Sequence, residues 1–298
     1  HSHWILPQGF VGMMARPFGR IPHVVTVHGS DLFGLRGALM DTFKRRVLHQ
    51  ADAVTVNSCF TEAAVRQLAP ETRGLHRIPM GVAIRLPDAA VHARASELRR
   101  RYRKGQGPLL VFVGRLIEEK GPEDLIRAID FLGNALPDVT ALIVGDGPER
   151  RALEDLVAQL LLTGRIEFPG WIDPSELGAW LAAADCFVGP SRRAPNGGVE
   201  AQGLTFIEAM AAGTPVIATR LGGIPDAVIH ETTGLLVDER APEQIAAAVQ
   251  RLVADPRFAV TLAEQGRRHA VGHFSRAASA GAFGELFKRL IDRERERV

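Results

Sequence analysis

Two glutamates eight residues apart, Glu200 and Glu208, bracket the run Gly203-Leu204-Thr205 in a segment that reads strand, loop, helix, strand. Carboxylates accept hydroxyl protons in charge-assisted hydrogen bonds. The backbone N–H groups of Gly203, Leu204 and Thr205 would open the helix and offer a seat for an anion. Such a helix mouth between two acids suits a sugar joined to a nucleotide diphosphate. Arg115 and Lys120 follow the strand at 109–113, and two cations there can neutralise a departing diphosphate. His28 stands at another strand end, in His28-Gly29-Ser30-Asp31. Plainer readings exist for each group. Thr205-x-x-Glu208 is also a capping-box pattern, Arg and Lys also belong on solvated loops, and a histidine after a strand is often structural.

The elements that must hold these groups are legible from period and punctuation. Residues 23–27, 53–56 and 75–78 read as buried strands, with helices over 9–20 (stopped by Pro17 and Gly19) and 36–50, and another capped by Ser58. From Leu109, strands at 109–113, 140–144, 166–168, 186–188, 215–218 and 235–237 alternate with helices. Those helices fall near 122–135, 148–161, 174–183, 204–212, 225–230 and 242–254, and Ser275 caps a final one to about Arg297. This alternation specifies a doubly wound parallel sheet, whose ligands gather at the carboxyl ends of the strands. Gly145, in Val144-Gly145-Asp146-Gly147, either lets a nucleotide approach the backbone or makes a tight turn. Trp171 lies either near a base or over the core.

Glu200-Ala-Gln-Gly-Leu-Thr-Phe-Ile-Glu208, followed by AMAAGTPVIAT and GGIPD, resembles the E-x7-E signature of retaining glycosyltransferase family 4. VHGSDL, VGRLIEEKG, IVGDGPER and FPGWIDPSEL extend the likeness over most of the chain. The resemblance implies an α/β chain of GT-B architecture, with two Rossmann-like doubly wound domains, the first lacking its opening strands. The implied division is 1–88 for the acceptor-side domain, 89–107 for a basic helix and linker, 108–274 for the donor-binding domain, and 275–298 for a helix crossing back. The implied activity is retaining, metal-independent transfer of a sugar from a nucleotide-diphosphate donor to a glycan or lipid-linked acceptor. Arg115, Lys120 and the N–H groups of Gly203, Leu204 and Thr205 would hold the phosphates, with Gly145 beside the nucleotide. Glu208 would accept the ribose hydroxyls, while Glu200 and His28 would contact the donor sugar as catalytic residues. The sequence departs from the family at Met80 and Ala83, where Asn-Gly-Val-Asp is usual. Missing opening strands would amount to roughly 70–90 residues and would leave a sheet edge exposed. A non-catalytic sugar-nucleotide-binding fragment is therefore the alternative. A nicotinamide-dependent oxidoreductase is disfavoured, because Gly114-Arg115-Leu116 does not begin G-x-G-x-x-G.

With 298 residues the chain has length for two domains, and no apolar run is long enough to cross a bilayer. Cys59 and Cys186 read as buried free thiols in a reducing, cytoplasmic setting. No Asp-x-Asp pair or His/Cys cluster has ligand spacing, so neither a metal nor another cofactor is expected. The net charge of +2 conceals an asymmetry. Residues 1–107 hold 16 Lys+Arg against 7 Asp+Glu, and the remainder hold 20 against 27. The basic half, with Arg99–Arg101, Arg103 and Lys104, either meets anionic lipid head groups peripherally or is a solvated face. Nucleic acid is not an expected partner, because no aromatic stacking set accompanies these charges.

Overall fold

A computed structural model describes residues 1–18, 21–35, 37–84, 87–194 and 197–296. The helix stop expected at Gly19, the start of the basic stretch at Arg85 and the helix end at Arg297 lie outside the described residues. The first unit runs β1 (Ser2–His3), α1 (Phe10–Ala15), β2 (Val24–Val27), α2 (Ser30–Phe33), α3 (Ala38–Gln50), β3 (Ala53–Val56), α4 (Cys59–Leu68) and β4 (Leu75–Arg77). These strands form a parallel sheet in the order β1-β2-β3-β4. Ser2–His3 had no strand expectation, and it pairs with Val25 and Thr26. Ser58 caps α4 as expected, exchanging bonds with Thr61 in a capping box.

Helix α5 (Ala89–Tyr102) leads to the second unit. There β5 (Leu109–Val113), α6 (Pro122–Leu132), β6 (Thr140–Val144), α7 (Arg150–Gln159), β7 (Ile166–Gly170), α8 (Leu177–Ala183) and β8 (Cys186–Gly189) follow in turn. The chain continues through α9 (Leu204–Ala212), β9 (Val216–Thr219), α10 (Ile224–Ala227), β10 (Leu235–Val237), α11 (Pro242–Ala254), α12 (Pro256–Phe274) and α13 (Arg276–Arg295). The sheet is parallel in the order β10-β9-β8-β5-β6-β7. The chain is thus an α/β protein with two parallel sheets. Strand alternation divides the second core between the sheet's two faces. Leu109 and Val111 pack into one apolar cluster, and Leu110 and Phe112 into the other.

Three expectations are revised. Helix α12 had not been foreseen; Asp255 accepts from the Phe258 N–H and Pro256 opens the first turn. Cys186 is buried but Cys59 is exposed, because it begins α4 at the surface. Trp171 is 71% exposed and covers no core.

Helix α13 lies against the first sheet, not the second. Leu286 and Leu290 pack on Val24, Ala53 and Ile78, with Phe283 and Phe287 beside them. Leu286→Ala should therefore leave a cavity under the first sheet and cost about 2–5 kcal/mol, read as a lower denaturant midpoint. An unchanged midpoint would mean that α13 is only laid on the surface.

Candidate active site

The carboxyl ends of β2, β5 and β8 open onto a cavity of about 650 Å³, lined by His28, Ser30, Arg115, Lys120, Glu200 and Ala201 among others. Residues separated by more than half the chain meet here because parallel strands present all their carboxyl ends at one edge. Lys120 Nζ donates to Glu200 Oε2 at 2.5 Å. The Lys120 side chain is 30% exposed, so it is not the fully solvated group the sequence suggested. Arg115 is exposed and makes no ion pair with a described residue.

Burial alone would push the Glu200 carboxyl up. The Lys120 ammonium and the N–H groups of Gln202 and Gly203 outweigh that effect and hold it below the usual carboxylate range. Glu200 is therefore ionised, and it also restrains its own loop. Its Oε1 accepts from the Gly203 N–H at 3.0 Å, a local role that the sequence did not reveal. That bond occupies one of the three N–H groups expected to face an anion. Leu204 and Thr205 keep theirs as first-turn groups without intrahelical acceptors.

The capping-box alternative for Thr205 and Glu208 is not realised. Gly203 is itself the residue before α9, at φ +80°, and α9 begins with no side-chain cap. The left-handed backbone that glycine permits starts the helix two residues before the capping box requires. Glu208 thus sits one turn inside α9 and lines a second cavity of about 480 Å³ with Leu204, Ser175, Gly178 and Val82. Burial pushes its carboxyl up. Glu200 and Glu208 consequently face two cavities, with Gly203 between them in sequence. Gly145 lines neither cavity. A Cβ there would lie 1.9 Å from the Gly114 carbonyl oxygen, so the close approach of two strand ends explains this glycine.

His28 reaches the first cavity from the other unit. Its backbone N–H and that of Gly29 donate to Asp31 Oδ1 at 3.0 and 2.9 Å, and the Ile5 N–H donates to Asp31 Oδ2. Burial lowers the His28 pKa; Asp31 opposes the shift and His3 adds to it. His3 Nδ1 lies 2.9 Å from His28 Nε2. Two residues of the neighbourhood escaped the sequence reading: His3, which looked like unstructured lead-in, and Gln202, considered below. Nothing local marks either, since their partners are distant in the chain.

Arg192 fixes the loop after β8 against the turn that carries Lys120. Its Nε donates to Asp124 and its Nη1 to Glu123 at 2.7 and 2.9 Å, while its backbone N–H donates to the Glu119 carbonyl. Of the basic cluster near α5, Arg99 is bound to Asp185 and the Ala183 carbonyl, and Arg103 to the carbonyls of Gln106 and Gly107. Arg100, Arg101 and Lys104 remain exposed. Among the described residues no group of three or more His, Cys, Asp or Glu is arranged to hold a metal ion.

A family model described as glycosyl transferases group 1 matches residues 95–269, and one described as glycosyl transferase 4-like domain matches residues 1–81. The GDP-mannose-dependent alpha-(1-6)-phosphatidylinositol monomannoside mannosyltransferase of Mycolicibacterium smegmatis is 33% identical, over 94% of this chain and 73% of its own length. The 2-deoxystreptamine glucosyltransferase of Streptomyces kanamyceticus is 32% identical, over 98% of this chain and 76% of its own. Among solved structures, Anabaena HepE in complex with UDP superposes with a TM-score of 0.83 at 23% identity, covering 95% of this chain and 76% of that one.

The raised Glu208 carboxyl gives a signed prediction. The folded state holds that proton more tightly than the unfolded chain does. The resulting stability is complete below the ordinary carboxylate pKa and is lost as pH rises through the raised folded value. Glu208→Gln should therefore melt at or above the parent's temperature at pH 7, and the gap should close near pH 4. A melting temperature below the parent's at pH 7 would mean that the folded protein stabilises the ionised Glu208 carboxylate rather than penalising it.

Proposed function

The chain belongs to the glycosyl transferases group 1 family and is a glycosyltransferase of GT-B fold, and we propose that it retains configuration and needs no metal. Its donor is a nucleotide-diphosphate sugar and its acceptor a glycan or lipid-linked sugar. One observation carries this reading. Arg115 and the Lys120–Glu200 pair line the same cavity as His28 from the other unit. Arg115 offers positive charge that no described side chain neutralises, and a diphosphate supplies the matching anion. One relative supports this donor and acceptor, being named for GDP-mannose and a phosphatidylinositol monomannoside; the other, named for glucosyl transfer to 2-deoxystreptamine, supports glycosyl transfer alone.

The reaction follows from the groups present. Lys120, Arg115 and the N–H groups of Leu204 and Thr205 bind the diphosphate and stabilise the charge that grows on it as the glycosidic bond breaks. Donor binding gives Lys120 a phosphate partner beside Glu200, and Glu200 accepts hydroxyls of the sugar. His28, kept neutral by burial, hydrogen-bonds the sugar from the opposite wall. Glu208 accepts the ribose hydroxyls from the adjoining cavity. Fixed cations then do the electrostatic work that a divalent metal does elsewhere.

The acceptor-side unit also presents a surface suited to a lipid bilayer. Val11, Met14, Phe18 and Ile21 are exposed, Phe18 to 92%, and Arg16 among them is paired with Asp52. Apolar side chains flanked by basic charge enter the head-group boundary of anionic bilayers. The Arg99–Lys104 cluster is the second candidate, although Arg99 and Arg103 are already bound within the chain. No helix among the described residues is long and apolar enough to cross a membrane.

Variants, a chelator and the product's stereochemistry test the proposal. Lys120→Ala should weaken UDP or GDP binding about tenfold, the loss of one charge-assisted bond, and calorimetry reads it. Glu200→Gln should lower turnover of a sugar-nucleotide panel more than it lowers nucleotide affinity, and full turnover would remove Glu200 from the site. It should also lower the melting temperature slightly, because Gln binds the Gly203 N–H and Lys120 less strongly. A chelator should leave turnover unchanged, and the product's anomeric proton coupling should match the donor's. Separately, anionic vesicles should sediment the protein and neutral vesicles should not, with Phe18→Ser reducing the bound fraction.

A further inference from the structure

Gln202 is 3% exposed and its amide bridges the two units. The Met80 N–H donates to Gln202 Oε1 at 2.9 Å, and Gln202 Nε2 donates to the Met80 carbonyl at 2.9 Å. This reciprocal pair spans 122 positions in the chain. A buried amide satisfied in both its acceptor and donor senses has its orientation fixed, and loss of the pair would strand two backbone groups.

Both ends of the bridge are placed to matter. Met80 lies where the chain leaves the first unit, and that crossing is tied to the returning one. The Val82 N–H donates to the Phe274 carbonyl at 2.8 Å, the Arg276 N–H to the Val82 carbonyl at 3.0 Å, and Ser279 Oγ to the Pro79 carbonyl at 2.9 Å. Residues 79–82 are therefore bound to the junction of α12 and α13, and this paired crossing is the hinge about which the units would pivot. At the other end, the Gln202 backbone N–H is one of the groups holding the Glu200 carboxylate, and Gly203 is its neighbour in that task. Ala201 packs against the backbone next to His28; a side chain at Gly29 would meet its methyl at 2.7 Å.

We propose that Gln202 is a positioning residue that registers the Glu200 loop against the hinge, so that the relative placement of the two units sets the distance from Glu200 to His28. The Gln202 side chain touches neither cavity, and it acts through the backbone that Glu200 binds. Movement at the hinge is passed to the carboxylate through two side-chain bonds and one peptide N–H. The consequence for transfer rests on the function proposed above, whereas the mechanical link does not.

Gln202→Met fills nearly the same volume without the amide, and Gln202→Glu keeps only the bond from the Met80 N–H, which guards against a misfolded first variant. Hydrogen exchange of the full chain reads the link without any ligand. In both variants, amides of 80–82 and 199–204 should exchange together about tenfold faster, while those of β5 and β6 stay unchanged. Titration with UDP and GDP should give dissociation constants within about twofold of the parent. Turnover of the best donor should fall about tenfold at an unchanged KM, a split that general loss of stability would not produce. Faster exchange confined to 199–204, or in neither segment, overturns the link. Coupled exchange with unchanged turnover overturns the positioning role. If the parent itself binds neither nucleotide, the transfer reading fails, and the exchange data still decide the link.

Discussion

A buried carboxylate must be compensated or it takes up a proton, and Glu200 is the place where the molecule meets that constraint. The compensation comes from three parts of the chain at once. Lys120 is delivered from the turn after β5, Gln202 and Gly203 give backbone N–H groups from the loop itself, and Arg192 ties that loop to the Lys120 turn. The Lys120 and Arg192 contacts could not be made by one βαβ unit alone. The ionised state of Glu200 is accordingly a property of the assembled second sheet and of the turns at its carboxyl edge.

Glu208 shows the opposite solution. Among the described residues no charge offsets the burial of its carboxyl, which raises its pKa. Two glutamates of similar sequence context are thus driven in opposite directions by their surroundings. The pair offers a carboxylate that ionises more readily in one cavity and a carboxyl that ionises less readily in the other. A ligand that carries its phosphates toward Arg115 and its hydroxyls toward Glu208 would meet both conditions.

The sequence revealed most where the physics is local. Strand runs of β-branched and aliphatic residues, proline in first helical turns and Ser58 before α4 all lead to elements at the expected places. Helix α9 starts where expected, at Leu204; the alternative that Thr205 and Glu208 form a capping box fails because a glycine at φ +80° had already begun the helix. Helix α12 escaped because its inward face uses Leu262, Gly266, Ala270 and Phe274, two of them too small to give a strong apolar period. Close packing explains the choice: a Cβ on Gly266 would come within 3.1 Å of Met210 on α9. The site residues on strand ends were legible from type and position. Their partnerships were not, since Lys120–Glu200 and Gln202–Met80 join positions 80 and 122 residues apart. Such pairs are created by topology, which residue type alone does not disclose.

The docking of α13 on the first sheet carries a consequence for how the chain is made. Val24 and Ala53 leave the ribosome early, yet Leu286 and Leu290, which cover them, are translated about 230 residues later. At ~5–20 residues per second the uncovered face waits on the order of 10–50 s. During that interval the second unit, whose strands and most of whose helices are contiguous in the chain, is free to fold. The face formed by Val24, Ala53 and Ile78 is therefore closed only after the second unit has been made, when α13 emerges.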